Sequence, residues 1–186
     1  MVPIMSLWLP ILLSAVVVFI ISSIIHMVLK YHASDMKQLP SENEIMESLR
    51  KFNIPPGDYM LPRAGSMEAM KSPEYVERVK KGPVATITVM KGGSMSMGPY
   101  LLQWFLFCVL VGILAAYITG RAVGPGTPYL RVFRFAGATS FIAFSIGQIP
   151  QSIWYRRSWS TTIKHLFDGL IYGLFTGGVF GWLWPK

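Results

Sequence analysis

Cysteine and charge are the two scarcest features of this sequence. One of its 186 residues is cysteine and 14% are charged, whereas about a quarter of the residues are charged in a soluble domain. A lone Cys108 excludes an intrachain disulfide, a CxxC redox pair and a zinc site built from several thiolates. Because 52% of the residues are hydrophobic, the polar surface is too small for a water-soluble domain, and we expect an integral membrane protein.

Catalytic and phosphate-binding motifs are missing as well. The glycine-rich stretches at residues 92–93 and 124–126 lack the lysine and hydroxyl of a phosphate-binding loop. The histidines show neither H-x-x-H nor H-E-x-x-H spacing, and no Ser/His/Asp or Cys/His arrangement can be defended. The sequence therefore gives no positive evidence for hydrolase chemistry, leans against an enzyme and leaves any cofactor unknown.

The net charge of +8 is not concentrated in one basic surface. Eight of the nine acidic residues and ten of the seventeen lysines and arginines fall between Lys30 and Lys91, which leaves that segment almost neutral. The other basic residues lie at the ends of hydrophobic runs, as they do in membrane proteins. We therefore expect no nucleic-acid partner.

Four apolar runs predict an all-α polytopic membrane protein whose transmembrane helices form a bundle. The predicted helices cover residues 1–30, 99–120, 129–150 and 162–186. The first contains an uncharged run from Leu7 to Leu29, about 34 Å long at 1.5 Å per residue, which is enough to cross a bilayer. It lacks the basic start and cleavage site of a signal peptide, so we expect a retained anchor in the lipid bilayer.

A polar segment of residues 31–98 separates the first two predicted helices. Ser41 opens a capping-box pattern, which predicts a short amphipathic helix. Ser72, followed by proline, predicts a second short helix. Alternating residues at 84–90 predict a strand that pairs with residues 59–61. We expect a small α+β cap that leans on the helix ends or on a partner, because so short a segment makes a marginal core.

The charges that flank the apolar runs predict the orientation. Four spans place both termini on one side of the membrane and the inserted segment on the other. Thirteen lysines and arginines fall on the side of the inserted segment and four on the opposite side. By the positive-inside rule, we expect the inserted segment to be cytoplasmic and the chain to lie in a bacterial cytoplasmic membrane.

Small residues recur along three of the four predicted helices. The clearest stripe lies on the fourth helix and consists of Gly169, Gly173, Gly177 and Gly181. Such a face lets another backbone approach closely. The partner is either another helix of the same chain or, through this fourth helix, a second copy or another membrane protein.

Polar residues from four predicted helices should converge in one leaflet, because consecutive spans alternate in direction. The candidate cluster consists of His26, His32, Asp35, Gln103, Gln148, His165 and Asp168. Imidazole and carboxylate groups bind transition metals or relay protons, and the sequence leaves both open. In the structural alternative, Asp168 only pairs with Lys164 four residues before it, and the histidines only reach interfacial water.

Methionines offer a further candidate ligand set. Met90, Met95 and Met97, together with His26 or His32, could supply soft ligands to copper(I). Eleven methionines are spread along the chain, so packing and loop filling is the competing and simpler interpretation.

Three classes of function remain open from the sequence. The first is a non-catalytic accessory or assembly subunit of a larger membrane complex, favoured by the nearly uncharged spans, the glycine face and the small cap. The second is an oligomeric transporter or channel for protons, metal ions or small solutes, built on Asp168 and the nearby histidines. The third is a membrane enzyme that acts on lipid or quinone.

Overall fold

The computed structural model describes residues 1–93 and 96–186, which are mostly helical and fall into two compact units. One unit, here called the helical unit, comprises Met1–Lys37 and Ser96–Lys186. The other, the inserted unit, comprises Gln38–Met95. In chain order the elements are α1 (Trp8–Ser23), α2 (Glu42–Arg50), β1 (Gly57–Leu61), α3 (Pro73–Lys81), β2 (Ala85–Val89), α4 (Met97–Ala122), α5 (Tyr129–Ser145), α6 (Ile149–Trp154) and α7 (Trp159–Trp182).

Three helical stretches of the described chain are long and apolar enough to cross a membrane: Ile4–Val28, Met97–Ala122 and Tyr129–Trp154. The prediction of helices long and apolar enough to cross a membrane is confirmed for these three. The expected fourth span, α7, is 24 residues long but is not among them. Its glycines and the polar residues of its first turns dilute its hydropathy.

The third span extends further than the sequence predicts. The predicted helix ends at residue 150, because proline often terminates a helix, but Pro150 lies in the first turn of α6, which a single 3₁₀ turn joins to α5. Proline is tolerated at this position because the first amide N–H groups of a helix have no intrahelical acceptor.

The four long helices of the helical unit contact one another in a closed order. The α5 helix packs along α7, α7 against α1, α1 against α4, and α4 against α5. Two groups of buried side chains lie between them, one that includes Leu7, Val132 and Phe180 and one that includes Val18 and Tyr172. These contacts bring the end of α1 to the start of α7.

The glycine face of α7 lies against α5 of the same chain. A Cβ atom added at Gly173 would lie 2.8 Å from the carbonyl oxygen of Gly137, and one at Gly177 would lie 2.7 Å from that of Phe133. At Gly169 an added Cβ would overlap Ser145, and at Gly181 it would lie 2.7 Å from the Tyr129 ring. The stripe is therefore filled within the chain.

Hydrogen bonds gather both chain ends and the α4–α5 loop at one end of the helical unit. The N–H of Val2 donates to the carbonyl oxygen of Gly120 at 2.9 Å. The N–H of Gly126 donates to the carbonyl of Pro185 at 2.9 Å, and the indole N–H of Trp184 donates to that of Gly124 at 2.9 Å. The ends of α4 and α7 thus lie beside the same loop.

The inserted unit contains two short helices and a two-stranded antiparallel sheet. Tyr59 in β1 pairs with Ile87 in β2, as the sequence predicts. Ser72 caps α3 as expected, since its hydroxyl accepts the N–H of Tyr75 at 3.2 Å. The predicted capping box at Ser41 is wrong, because this residue takes a left-handed conformation and its side chain makes no capping hydrogen bond. The predicted helix, α2, nevertheless begins directly after it. Among described residues 38–93, only Pro62 is buried.

Two adjacent glycines of α7 provide a matched test of the α5–α7 contact. We expect Gly177→Ala to destabilise the helical unit by about 1–3 kcal/mol, because its new methyl group meets the backbone of Phe133. Gly178→Ala should be neutral or stabilising, since its nearest new contact is 3.6 Å away and alanine favours helix by about 1 kcal/mol. Thermal unfolding in detergent measures both, and equal effects would contradict this packing.

Candidate functional site

The candidate site is formed where the chain leaves α1 and passes over the start of α7. The last turn of the first helix, Ile24–Val28, is a π-helical turn that carries His26, and the N–H of Leu29 closes it on the carbonyl of Ile24 at 3.1 Å. A 3₁₀ turn at Lys30–Ser34 follows and presents Tyr31 and His32. Irregular turns of this kind are frequent at functional sites.

Asp168 is the buried centre of the site, with 3% of its side chain exposed. The Tyr31 hydroxyl donates to its Oδ1, and His32 Nε2 lies 2.8 Å from its Oδ2. Burial of a carboxylate costs several kcal/mol unless hydrogen bonds and opposite charge compensate it. Tyr31 and His32 supply this compensation.

His32 bridges two carboxylates. Its Nδ1 lies 2.7 Å from Asp35 Oδ2, while its Nε2 faces Asp168. An imidazolium ring donates to both oxygens at once, since each of its nitrogens then carries a hydrogen. The Lys164 ammonium places a positive charge beside Asp35.

Lys164 binds Asp35 rather than Asp168, so the expected i,i+4 pair is wrong. Its Nζ donates to Asp35 Oδ1 at 2.7 Å, to the Tyr31 carbonyl at 2.6 Å and to the Ser34 hydroxyl at 2.9 Å. The physical reason is that all three N–H donors find acceptors on the turn that crosses α7. Lys164 thereby fixes the turn that carries His32.

The other two histidines flank His32. The His26 ring stacks on it with centroids 4.5 Å apart and planes 9° from parallel. The His165 ring lies 5.4 Å away from His32, and its Nδ1 is 3.9 Å from Asp168 Oδ2. All three histidines of the chain therefore meet at Asp168.

Aromatic residues lie one helical turn further along α7. Tyr172 contacts Trp104 and Phe144, with ring centroids 6.2 and 5.3 Å apart. The Trp104 indole N–H donates to the Ser22 hydroxyl at 2.7 Å and so joins α4 to α1. These aromatic rings form an apolar layer on one side of the polar groups around Asp168.

Five of the seven predicted cluster residues come together: His26, His32, Asp35, His165 and Asp168. Within the described part of the chain, neither Gln103 nor Gln148 makes a hydrogen bond to them, and Gln103 is exposed. The sequence reasoning missed Tyr31 and assigned Lys164 to the wrong partner. The position of Tyr31 next to His32, just after the apolar run, was the available signal.

The centre contains a set of groups that could hold a metal ion. His26, His32 and Asp168 each offer one ligand atom, and these atoms lie within 4.8 Å of one another. The proposed copper set is not tested, because Met95 lies outside the described residues.

The environment shifts the pKa values of two side chains, one in the turn at Lys30–Ser34 and one directly after it. Burial raises the pKa of Asp35, but hydrogen bonds from Lys164 and His32 outweigh it and lower the pKa to about 2. Burial, together with the hydrogen bond to Asp168, raises the pKa of Tyr31. Asp35 therefore stays ionised and Tyr31 stays protonated at neutral pH.

Comparisons of the chain with protein-family models, with curated proteins and with solved structures found no match.

The lowered pKa of Asp35 predicts a loss of stability in acid. A carboxylate whose folded pKa is depressed stabilises the fold above its unfolded pKa of 3.8, and this contribution disappears as the pH falls to about 2. Its size is at most about 2 kcal/mol. We expect Asp35→Asn to lower the unfolding temperature at pH 6 and to flatten its fall towards pH 2.5. Asp58→Asn in the inserted unit is the control, and an unchanged pH profile in Asp35→Asn would contradict the ion pair.

Proposed function

We propose that this chain is a four-span protein of a bacterial cytoplasmic membrane that serves as a non-catalytic accessory or assembly subunit of a larger membrane complex. The inserted unit is the part that meets the partner. The contacts of His32 with Asp35 and Asp168 fix the turn at Lys30–Ser34, which leads into the inserted unit.

The geometry of the helical unit supports α7 as a fourth span. Its 24 residues reach about 36 Å, which matches a bilayer core. Asp168 in the N-terminal half of α7 contacts His32 in the turn that follows the first span, while Trp184 just beyond α7 binds the α4–α5 loop. Because α7 has contacts at both ends of the neighbouring helices, it would cross the bilayer if they do.

The excess of basic residues supports a cytoplasmic inserted unit. Arg156 and Arg157 lie between α6 and α7, on the side of the inserted segment in a four-span topology. Basic residues close to apolar helices favour the cytoplasmic face.

The observation that carries the proposed function is the exposed apolar surface of the inserted unit. Leu49 is 41% exposed, Phe52 74% and Met46 45%, all from α2 or directly after it. An amphipathic helix without a covered apolar side is stabilised when a partner buries that side. A partner protein at this surface is the role expected of an accessory subunit.

The contacts around Asp168 support a structural role for these residues, which is to fix the turn at Lys30–Ser34, rather than a catalytic role. The polar groups are paired with one another: His32 joins Asp35 to Asp168, and Lys164 binds Asp35. Saturated networks of this kind rigidify the segment that they join.

Single-cysteine labelling tests the span number. Cys108 is 2% exposed, so Cys108→Ala gives a background without thiols. We expect Pro125→Cys and Lys186→Cys to react with an impermeant maleimide from one side of the membrane, and Met67→Cys from the other. Labelling of residues 67 and 186 from the same side would exclude a fourth crossing.

Gentle extraction followed by native mass measurement tests the role. We expect a second protein to accompany the chain, and Leu49→Ser or Phe52→Ser to reduce its recovery at least tenfold because each removes apolar contact area. Glu47→Gln, on the polar side of α2, should retain the partner. A homo-oligomer without a foreign protein would contradict the proposal and favour the oligomeric transporter.

A further inference from the structure

Asp168 and the two histidines His26 and His32 have a second property that does not depend on a partner protein. We propose that His26 Nε2, His32 Nε2 and Asp168 Oδ2 form a binding site for a divalent transition-metal ion of the zinc type.

The first support is proximity. One ligand atom from each residue lies within 4.8 Å of the others, and His32 Nε2 and Asp168 Oδ2 are 2.8 Å apart. Ligand atoms on a tetrahedral zinc ion lie about 3.4 Å apart, given zinc bonds of about 2.0–2.1 Å. His32 Nε2 and Asp168 Oδ2 must move slightly apart to share an ion, and the His26 ring must turn off its stack with His32 to direct its Nε2 at the same point.

The second support is the orientation of each histidine by a group behind it. His26 Nδ1 lies 3.0 Å from the carbonyl oxygen of Ser22, which can only accept, so Nδ1 carries the hydrogen and Nε2 presents a lone pair. His32 Nδ1 donates in the same way to Asp35 Oδ2 at 2.7 Å. A histidine that ligates a metal almost always donates its other N–H to a carbonyl or carboxylate.

The carboxylate shows the same arrangement. The Tyr31 hydroxyl occupies Oδ1 of Asp168, which leaves Oδ2 directed at His32. Asp35, which orients His32, is itself fixed by Lys164 at 2.7 Å. Each of the three ligands thus has an orienting partner, as ligands in metal sites usually do.

The chemistry of the donors selects the class of ion. Two imidazole nitrogens and one carboxylate oxygen suit zinc and its neighbours, whereas magnesium and calcium prefer oxygen ligands and copper(I) prefers sulfur. The ion would take the place of the hydrogen between His32 Nε2 and Asp168 Oδ2. A fourth position remains for water or for His165, which lies beside Asp168.

Zinc titration of the full chain tests the site. The protein in detergent, first stripped with chelator, should bind one Zn²⁺ per chain by calorimetry, and Co²⁺ in its place should give the intense visible absorption of a tetrahedral ion. His26→Ala and Asp168→Asn should each weaken binding at least a hundredfold. Asp35→Asn, which keeps the three ligands, should weaken it by about ten- to a hundredfold at unchanged stoichiometry.

The variant at His26 keeps the test independent of folding, since this side chain is exposed and its hydrogen bond is to its own helix. We expect its unfolding temperature without metal to match that of the wild type, and Zn²⁺ to raise the unfolding temperature of the wild type and Asp58→Asn but not of His26→Ala. Absence of saturable Zn²⁺ binding, or wild-type affinity in His26→Ala, would overturn the site. Neither result bears on recovery of a partner protein, which depends on the inserted unit.

Discussion

A single carboxylate buried among long helices is the constraint around which the helical unit is organised. Asp168 has almost no contact with solvent, so its charge must be compensated by groups of the protein itself. The compensating groups, Tyr31 and His32, come from the opposite end of the sequence, and the Tyr31 ring also packs against the buried side chains around Val18 and Tyr172. The path of the chain after α1 is therefore fixed by these polar contacts together with the packing of the Tyr31 ring.

Hydropathy and spacing predicted much of the helical architecture. The runs that became α1 and α4 are uncharged and long, so few alternatives exist for them. The α7 helix is harder to assign, because glycines that allow α5 to approach also lower its hydropathy; the same residues that favour packing weaken the signal for a span. The predicted end of the third helix at residue 150 was wrong because proline occurs in the first turn of a helix as well as after its end.

The sequence predicted the level along the helices at which the site residues lie, but not the side of each helix on which they lie. Alternating helices place His26, His165 and Asp168 at one level, and that inference rests on topology alone. Which side of its helix a residue occupies depends on packing, and for this reason Gln103 at a similar level remains exposed. The partners of Lys164 depend on the reversal of the chain at residues 30–34, and no periodic pattern encodes that reversal.

The π-helical turn at Ile24–Val28 constrains the spacing between the first span and the residues that contact Asp168. A turn of this type holds one residue more than an α-helical turn, and each residue of an α-helix rotates the direction of the next by about 100°. Deletion of one residue from this stretch would swing everything after it around the helix axis. The number of residues between Ser23 and Tyr31 is thus a more informative feature to compare than the identity of the apolar residues within it.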